Sequence, residues 1–206
     1  MAPDATIMAL KVLDAGGYGN ESSVWSAIEF AVDNGCDIIS MSIGWTYQSN
    51  PDRYSWRTAH NNALAAGLIA SVAAGNEGDD LGTYPIQNNV STPGDCPPPW
   101  TNPDQTLTGG NSNVVCVGAT DINDNAASFT SRGPVTWATV NPFNDYPYNP
   151  GMGLMEPGWP CSASWAAAGW WPGCGCAACR ATCGQNAKCA TAGRRSATGW
   201  RNALPS

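Results

Sequence analysis

Short apolar runs alternate with amphipathic stretches along the first 120 residues of the chain. The apolar runs are short, and they end at Gly or Asp or shortly before one, which predicts strands covered on both faces. These predicted strands are residues 6–13 (TIMALKVL), 36–43 (CDIISMSI), 68–74 (LIASVAA) and 114–119 (VVCVGA). Residues 128–134 (SFTSRGP) predict a further short strand and turn.

Two amphipathic stretches separate the first three predicted strands. Between Val24 and Val32 the apolar residues recur at three- and four-residue spacing, and Ser22 or Ser23 can cap the helix that this spacing predicts. Residues 56–66 predict a second helix. Strand, helix and strand in this order form βαβ units. The sequence therefore predicts the α/β class: a parallel sheet with flanking helices.

Composition narrows the possible functions. Charged residues make up 12% of the 206 residues and the net charge is -7, so the basic surface of a nucleic-acid-binding protein is missing. No run of 18 or more apolar residues predicts a membrane span, and the N-terminus does not resemble a signal peptide. A single enzyme-like domain with long loops, such as residues 77–113, is the expectation.

The composition changes near residue 150. Residues 151–206 contain one acidic residue, Glu156, and five basic ones, together with five Trp and six Cys. Such a segment has few residues that form strands or fill a core. We therefore divide the chain into a domain, 1–150, and a Cys- and Trp-rich tail, 151–206.

Two explanations of the tail stay open. In the first, it is translated out of frame or is disordered, because the codons of Trp170 and Trp171 read one base later begin with glycine codons. In the second, it is a Cys-rich module, either a zinc site or a disulfide knot. Its cysteine spacing lacks the two well-separated pairs and the histidine of common zinc sites, so we assign no metal ligand.

The segment Ala73–Gly78 (AAGNEG) is the strongest candidate for chemistry. It follows a predicted strand, where ligands of parallel sheets bind. The carboxamide of Asn76 is a neutral donor of two hydrogen bonds, and such a donor can stabilise the oxyanion of acyl transfer. In the alternative interpretation Asn76 only tolerates a left-handed turn between glycines.

Four ordered blocks resemble the subtilisin-like serine proteases. The first, residues 2–14, resembles the stretch after the catalytic histidine motif of that family. The second, residues 38–44 (IISMSIG), resembles the strand that pairs with substrate, and residues 73–78 resemble the oxyanion segment. Residues 114–121 with 127–134 resemble the block that leads towards the nucleophile. The resemblance implies an incomplete subtilisin-like, three-layer fold.

The resemblance also implies roles for particular residues. Asn76 would be the oxyanion donor, Ser42, Ile43 and Gly44 would pair with an extended peptide, and Ala73, Ala74 and Gly75 would wall the primary pocket. Thr92-Pro93 resembles a position that shapes this pocket. In a secreted protein of this kind we expect a disulfide between Cys96 and Cys116. The family implies an extracellular location and often calcium, although no ligand set can be matched.

The catalytic triad is the main departure from the family. The family order is Asp, His and Ser, and the first two would precede residue 1. The single histidine, His60, lies in a predicted helix, where we expect it on the surface or hydrogen-bonded. No GTSMATP motif occurs, and Ser162, Ser164 and Ser196 match by residue type alone.

Three hypotheses follow from these observations. In the first, the chain is part of a serine endopeptidase and is inactive alone. In the second, it is a catalytically dead module that binds extended peptides. In the third, it does not fold independently.

Overall fold

The structure is a computed structural model that describes residues 3–99, 107–123 and 125–145. Within these ranges lie two α-helices and three strands, which we name in chain order. They are α1 (Glu21–Asp33), β1 (Ile38–Met41), α2 (Arg53–Ala65), β2 (Ile69–Ala73) and β3 (Val114–Val117). The tail 151–206 lies outside the described residues, and so do the predictions made for it. Among the described residues, no helix is long and apolar enough to span a bilayer.

The strands form one parallel sheet in the order β1, β2, β3. Met41 pairs with Val72, which in turn pairs with Cys116. Because the strands are parallel, their carboxyl ends meet at one edge of the sheet. The predicted α/β class, a parallel sheet with flanking helices, is confirmed.

One face of the sheet packs against both helices. Ala70, Val72 and Val114 on this face are fully buried. They share a core with residues of α1 and α2, namely Val24, Ile28, Trp56 and Ala63. The three- and four-residue spacing in the sequence predicted which face of α1 is buried. The prediction is confirmed, because the buried residues of α1 are Val24, Ile28 and Ala31.

The opposite face of the sheet is only partly covered by the described residues. Ile38 and Ile69 are register partners, and they are 68% and 37% exposed. Two layers, helices and sheet, are therefore present in the described part of the chain, which agrees with an incomplete three-layer fold.

Both helices begin earlier than predicted. Helix α1 starts at Glu21, after Asn20 in extended conformation, so neither Ser22 nor Ser23 is its cap. Helix α2 starts at Arg53 because the Asp52 side chain caps it and accepts a hydrogen bond from the Ser55 amide, at 3.1 Å.

The strand predicted at residues 6–13 does not form, and that prediction was wrong. A strand needs a hydrogen-bonding neighbour, but this segment runs beside β1 across an open cleft of about 390 Å³. Ile7 is 88% exposed instead of covered on both faces. Residues 128–134 also form a turn without a strand, and they pack against the segment after β2.

Buried charges tie the later loops to α2. The Arg57 guanidinium donates to both carboxylate oxygens of Asp145, at 2.6 and 2.8 Å, and both side chains are almost fully buried. Asp145 also accepts from the amides of Thr108 and Gly109, at 2.8 and 2.7 Å. Burial alone would raise the pKa of Asp145, but these hydrogen bonds outweigh it and the pKa is lowered.

A second ion pair lies on the preceding turn of α2, at the start of the helix. Arg53 donates to Asp95 at 2.8 Å and lies 4.3 Å from the centre of the Trp137 ring. The Trp137 indole in turn donates to the Asp95 carbonyl at 2.8 Å. The loop after β2 and the segment 135–145 are thereby fixed to the same helix.

We predict that Arg57→Met lowers the free energy of unfolding by about 3–5 kcal/mol, because it leaves the Asp145 carboxylate buried without a counter-charge. Urea unfolding measures this loss. The double variant Arg57→Met/Asp145→Asn removes both charges and should recover part of the stability. A double variant no more stable than the single one would contradict this account of the pair.

Candidate active site

The candidate site lies where β1 and β2 end. The pairing of Met41 with Val72 places the following residues, Ser42–Gly44 and Ala73–Gly75, side by side at this edge. A third segment closes the arrangement. Thr92 pairs with Trp45 through two backbone hydrogen bonds of 2.8 and 2.9 Å, and the Ser91 amide donates to the Ala74 carbonyl at 2.8 Å.

The turn Ser91–Gly94 packs tightly against both strand ends. A Cβ atom on Gly94 would come within 2.8 Å of the Ala73 carbonyl oxygen, so no larger residue fits there. A Cβ on Gly44 would come within 3.0 Å of the Ser91 side chain. The Thr92-Pro93 peptide bond, which the sequence singled out without indicating its isomer, is cis. The turn thus lies directly against the ends of β1 and β2.

Asn76 is presented by a turn that begins at Gly75. Gly75 has a φ of 108°, a conformation that favours glycine, whereas Asn76 is absent from the residues with positive φ. The interpretation in which Asn76 serves the left-handed position is therefore wrong. The Asn76 side chain is exposed, and no described residue forms a hydrogen bond with its carboxamide. The donor is free to meet a ligand.

Main-chain hydrogen bonds hold the two ends of this turn. The Ala74 amide donates to the Val117 carbonyl at 2.9 Å, and the Ser131 amide donates to the Gly75 carbonyl at 3.1 Å. The Gly78 amide donates to the Phe129 carbonyl at 2.8 Å. The turn is therefore fixed between β3 and the segment 129–131.

The side chain of Asn89 connects the turn to two other loop segments. Its buried carboxamide donates to the carbonyls of Glu77 and Tyr84, at 2.7 and 2.8 Å, and accepts from the Arg132 amide at 2.7 Å. This side chain satisfies backbone groups of three separate segments. Sequence reasoning missed it because it lies in a loop that carries no motif.

Glu77 is the second residue that the sequence interpretation missed. Its carboxylate folds back over its own turn and accepts hydrogen bonds from the Asn76 amide and from the hydroxyls of Ser91 and Ser131. Two features of the sequence pointed to this network: Glu77 stands next to Asn76, and Ser131 belongs to the SFTSRGP block. Neither indicated that the two residues meet.

The single histidine of the sequence is part of the core. His60 is fully buried, stacks on Trp56 with ring centres 5.9 Å apart, and shares a 2.6 Å hydrogen bond between Nδ1 and Asn113 Oδ1. Burial lowers its pKa to about 4, while the bond to Asn113 acts in the opposite direction. The surface position considered for His60 is wrong, and the buried ring cannot reach a substrate.

The cysteines of the described region are free thiols. Cys96 and Cys116 are thus not joined by the expected disulfide in this structure. Burial, and secondarily the neighbouring Asp95, raises the pKa of both thiols. Cys36 is half-buried.

Among the described residues, no three His, Cys, Asp or Glu side chains are grouped so that they could hold a metal ion. Calcium also binds backbone and amide carbonyl oxygens, so the calcium implied by the resemblance stays a prediction, and no step of the chemistry is assigned to it. What the arrangement offers is a hydrogen-bond donor, Asn76, beside an exposed strand end.

The sequence of the chain is similar to those of known proteins. The profile of the subtilase family, Peptidase_S8, matches residues 1–144. Subtilisin DY from Bacillus licheniformis is 34% identical over 152 residues, which make up 72% of this chain and 47% of that protein. Thermitase from Thermoactinomyces vulgaris is 32% identical over 134 residues, 65% of this chain and 38% of that protein. The chain thus spans less than half the length of these relatives.

Solved structures show a more distant likeness. A lanthipeptide protease is 25% identical with a TM-score of 0.48, and the match covers 64% of this chain and 36% of that one. Sphericase is 29% identical with a TM-score of 0.46, over 64% of this chain and 37% of that one.

We predict that His60 makes the fold sensitive to acid. The unfolded chain binds a proton near the ordinary pKa of 6.5 and the folded chain only near 4. The contribution of His60 to the free energy of unfolding is therefore fully present above about pH 6.5. It falls by up to about 3 kcal/mol as the pH drops to 4. Urea unfolding at several pH values should show a smaller acid loss in His60→Gln. Both proteins contain the same carboxylates, so the contributions of these groups to the acid loss cancel in the comparison. An equal loss of unfolding free energy in the wild type and in His60→Gln would contradict the prediction.

Proposed function

Because the chain belongs to the subtilase family of serine peptidases, we propose that it supplies the oxyanion donor and the substrate strand of a serine endopeptidase. The observation that carries the proposal is the free carboxamide of Asn76 on a turn whose backbone is fixed on both sides. The family activity belongs to proteins more than twice as long as the matched segment.

In the proposed reaction, a serine of the whole enzyme attacks a peptide carbonyl, and negative charge develops on the carbonyl oxygen. Asn76 Nδ2 donates a hydrogen bond to this oxyanion, and it binds the oxyanion more strongly than the uncharged carbonyl oxygen of the substrate. A single donor of this kind lowers the barrier by about 2.7–4 kcal/mol in serine proteases. The donor must be held in place before the reaction for this gain to be realised.

The substrate would lie along residues 42–44. β1 is an edge strand of the described sheet, and both Ser42 and Gly44 are exposed. An extended peptide can add to such an edge through main-chain hydrogen bonds, while Ala73, Ala74 and Gly75 leave room for a side chain in the pocket. We propose an extended peptide or protein as the partner and, as in typical subtilisins, an extracellular location.

The chain by itself is proposed to be inactive. Its only histidine is buried in the core and bonded to Asn113, so the chain has no histidine base for a serine nucleophile. The same observation favours the second candidate, a peptide-binding module without turnover. The two candidates differ in whether a catalytic Asp, His and Ser are joined to this domain in the whole protein.

We expect that a fluorophosphonate probe labels no serine of the purified chain and that the chain cleaves no fluorogenic peptide. Mass spectrometry of the probe-treated chain measures labelling, with subtilisin as the positive control. Any labelled serine, together with turnover that the probe abolishes, would contradict the inactivity of the chain.

The role of Asn76 can be tested without turnover. A peptide phosphinate carries a tetrahedral anionic oxygen where the oxyanion forms, and its amide analogue carries a neutral carbonyl. We predict that Asn76→Ala weakens phosphinate binding roughly 10- to 100-fold, the value of a hydrogen bond to a charged group. Calorimetry should show nearly unchanged binding of the amide analogue.

The control for this experiment is Asn88→Ala, which replaces a half-buried Asn outside the turn. It should bind both ligands like the wild type. Equal loss of the two ligands in Asn76→Ala, or no loss of either, would contradict the oxyanion role.

A further inference from the structure

The carboxylate of Glu77 is the centre of a small hydrogen-bond network behind the Asn76 turn. Its Oε2 atom accepts from the Asn76 amide at 2.8 Å, from the Ser131 hydroxyl at 2.8 Å and from the Ser91 hydroxyl at 3.2 Å. The Glu77 amide donates to the Ser131 hydroxyl oxygen at 3.1 Å. We call Glu77, Ser91 and Ser131 the Glu77 network.

The network binds the middle of the turn, the amides of Asn76 and Glu77, which form no main-chain hydrogen bonds of their own. The amides of Ala74 and Gly78, at its ends, donate to backbone carbonyls. The amides of Asn76 and Glu77, on either side of the Asn76 Cα atom, donate to side-chain atoms of the network. The orientation of the Asn76 Cα–Cβ bond therefore depends on the network.

Two of the three members of the network are buried. Ser131 is fully buried and Ser91 is 5% exposed, so water has little access to their hydroxyls and the carboxylate is their acceptor. The network also lies directly against Gly75. A Cβ atom there would clash with the Glu77 carboxylate and would come within 2.7 and 2.8 Å of the Ser91 and Ser131 hydroxyl oxygens.

We propose that Glu77 is a positioning residue that, together with Ser91 and Ser131, fixes the peptide planes on both sides of Asn76 and so aims its carboxamide at the oxyanion. The proposal rests on the proposed function of Asn76 and adds the device that orients it. In this proposal Glu77 acts on the oxyanion through Asn76. Its carboxylate faces the three donors of the network.

The first test reads the turn itself, by NMR hydrogen exchange on the full chain. In Glu77→Ala, the Asn76 amide should exchange roughly tenfold faster or more, because it loses a charged acceptor. Its proton resonance should also move upfield. The Ala74 and Gly78 amides should keep their wild-type exchange, which shows that the domain is still folded.

Matched variants separate positioning from a general effect of charge. Glu77→Gln keeps an acceptor oxygen and should restore most of the Asn76 protection. Ser131→Ala should release the Glu77 amide. Asp79→Ala removes a neighbouring exposed carboxylate outside the network and should change neither amide. Unchanged Asn76 exchange in Glu77→Ala would overturn the proposal.

The second test links the turn to the oxyanion donor. Glu77→Ala should weaken binding of the peptide phosphinate roughly tenfold with little change for the amide analogue, and Glu77→Gln should rescue it. Full phosphinate affinity in Glu77→Ala, with a clear loss in Asn76→Ala, would overturn the positioning role of Glu77 and leave the proposed function of Asn76 intact. Full affinity in Asn76→Ala would instead overturn the proposed function, and the exchange experiment would still show whether Glu77 holds the turn.

Discussion

The hydrogen bonds that fix the turn after β2 are the constraint on which the candidate site depends. An oxyanion donor contributes only if it is already in place when charge develops, because reorientation during the reaction would consume the gain. An exposed carboxamide such as that of Asn76 has few contacts of its own to hold it. Its position must come from the backbone, and the backbone is held by β3, by the segment 129–131 and by Asn89.

The rest of the fold supplies these supports. Parallel pairing brings the ends of β1 and β2 together, and the turn Ser91–Gly94 joins them. The loops that carry these supports are long, and long loops are ordered only when buried interactions offset their conformational entropy. Here the two arginines of α2 serve this purpose: Arg57 binds Asp145 and Arg53 binds Asp95. The Trp137 ring lies beside both guanidinium groups.

Local patterns in the sequence predicted what local physics determines. The spacing of Val24, Ile28 and Ala31 predicted the buried face of α1, and the short apolar runs predicted β1, β2 and β3 to within a few residues. The run at 6–13 shows the limit of such patterns. Its composition is that of a strand, but a strand forms only beside a partner, and here it faces an open cleft.

The site was predictable only in part for the same reason. Asn76 and residues 42–44 stand in short motifs, so the sequence could indicate them. Ser131 lies 54 residues from Glu77 along the chain and Asp145 lies 88 residues from Arg57, and no short pattern indicates such pairs. For His60 the sequence left a surface position and a hydrogen-bonded side chain open, and the fold selects the second by burying the ring in the core against Asn113.

A crystal structure of the chain with a bound peptide phosphinate tests the central claim most directly. The account predicts an anionic oxygen about 2.7–3.1 Å from Asn76 Nδ2, with the peptide extended along residues 42–44. A carboxamide turned away from that oxygen, or a peptide bound elsewhere, would contradict it.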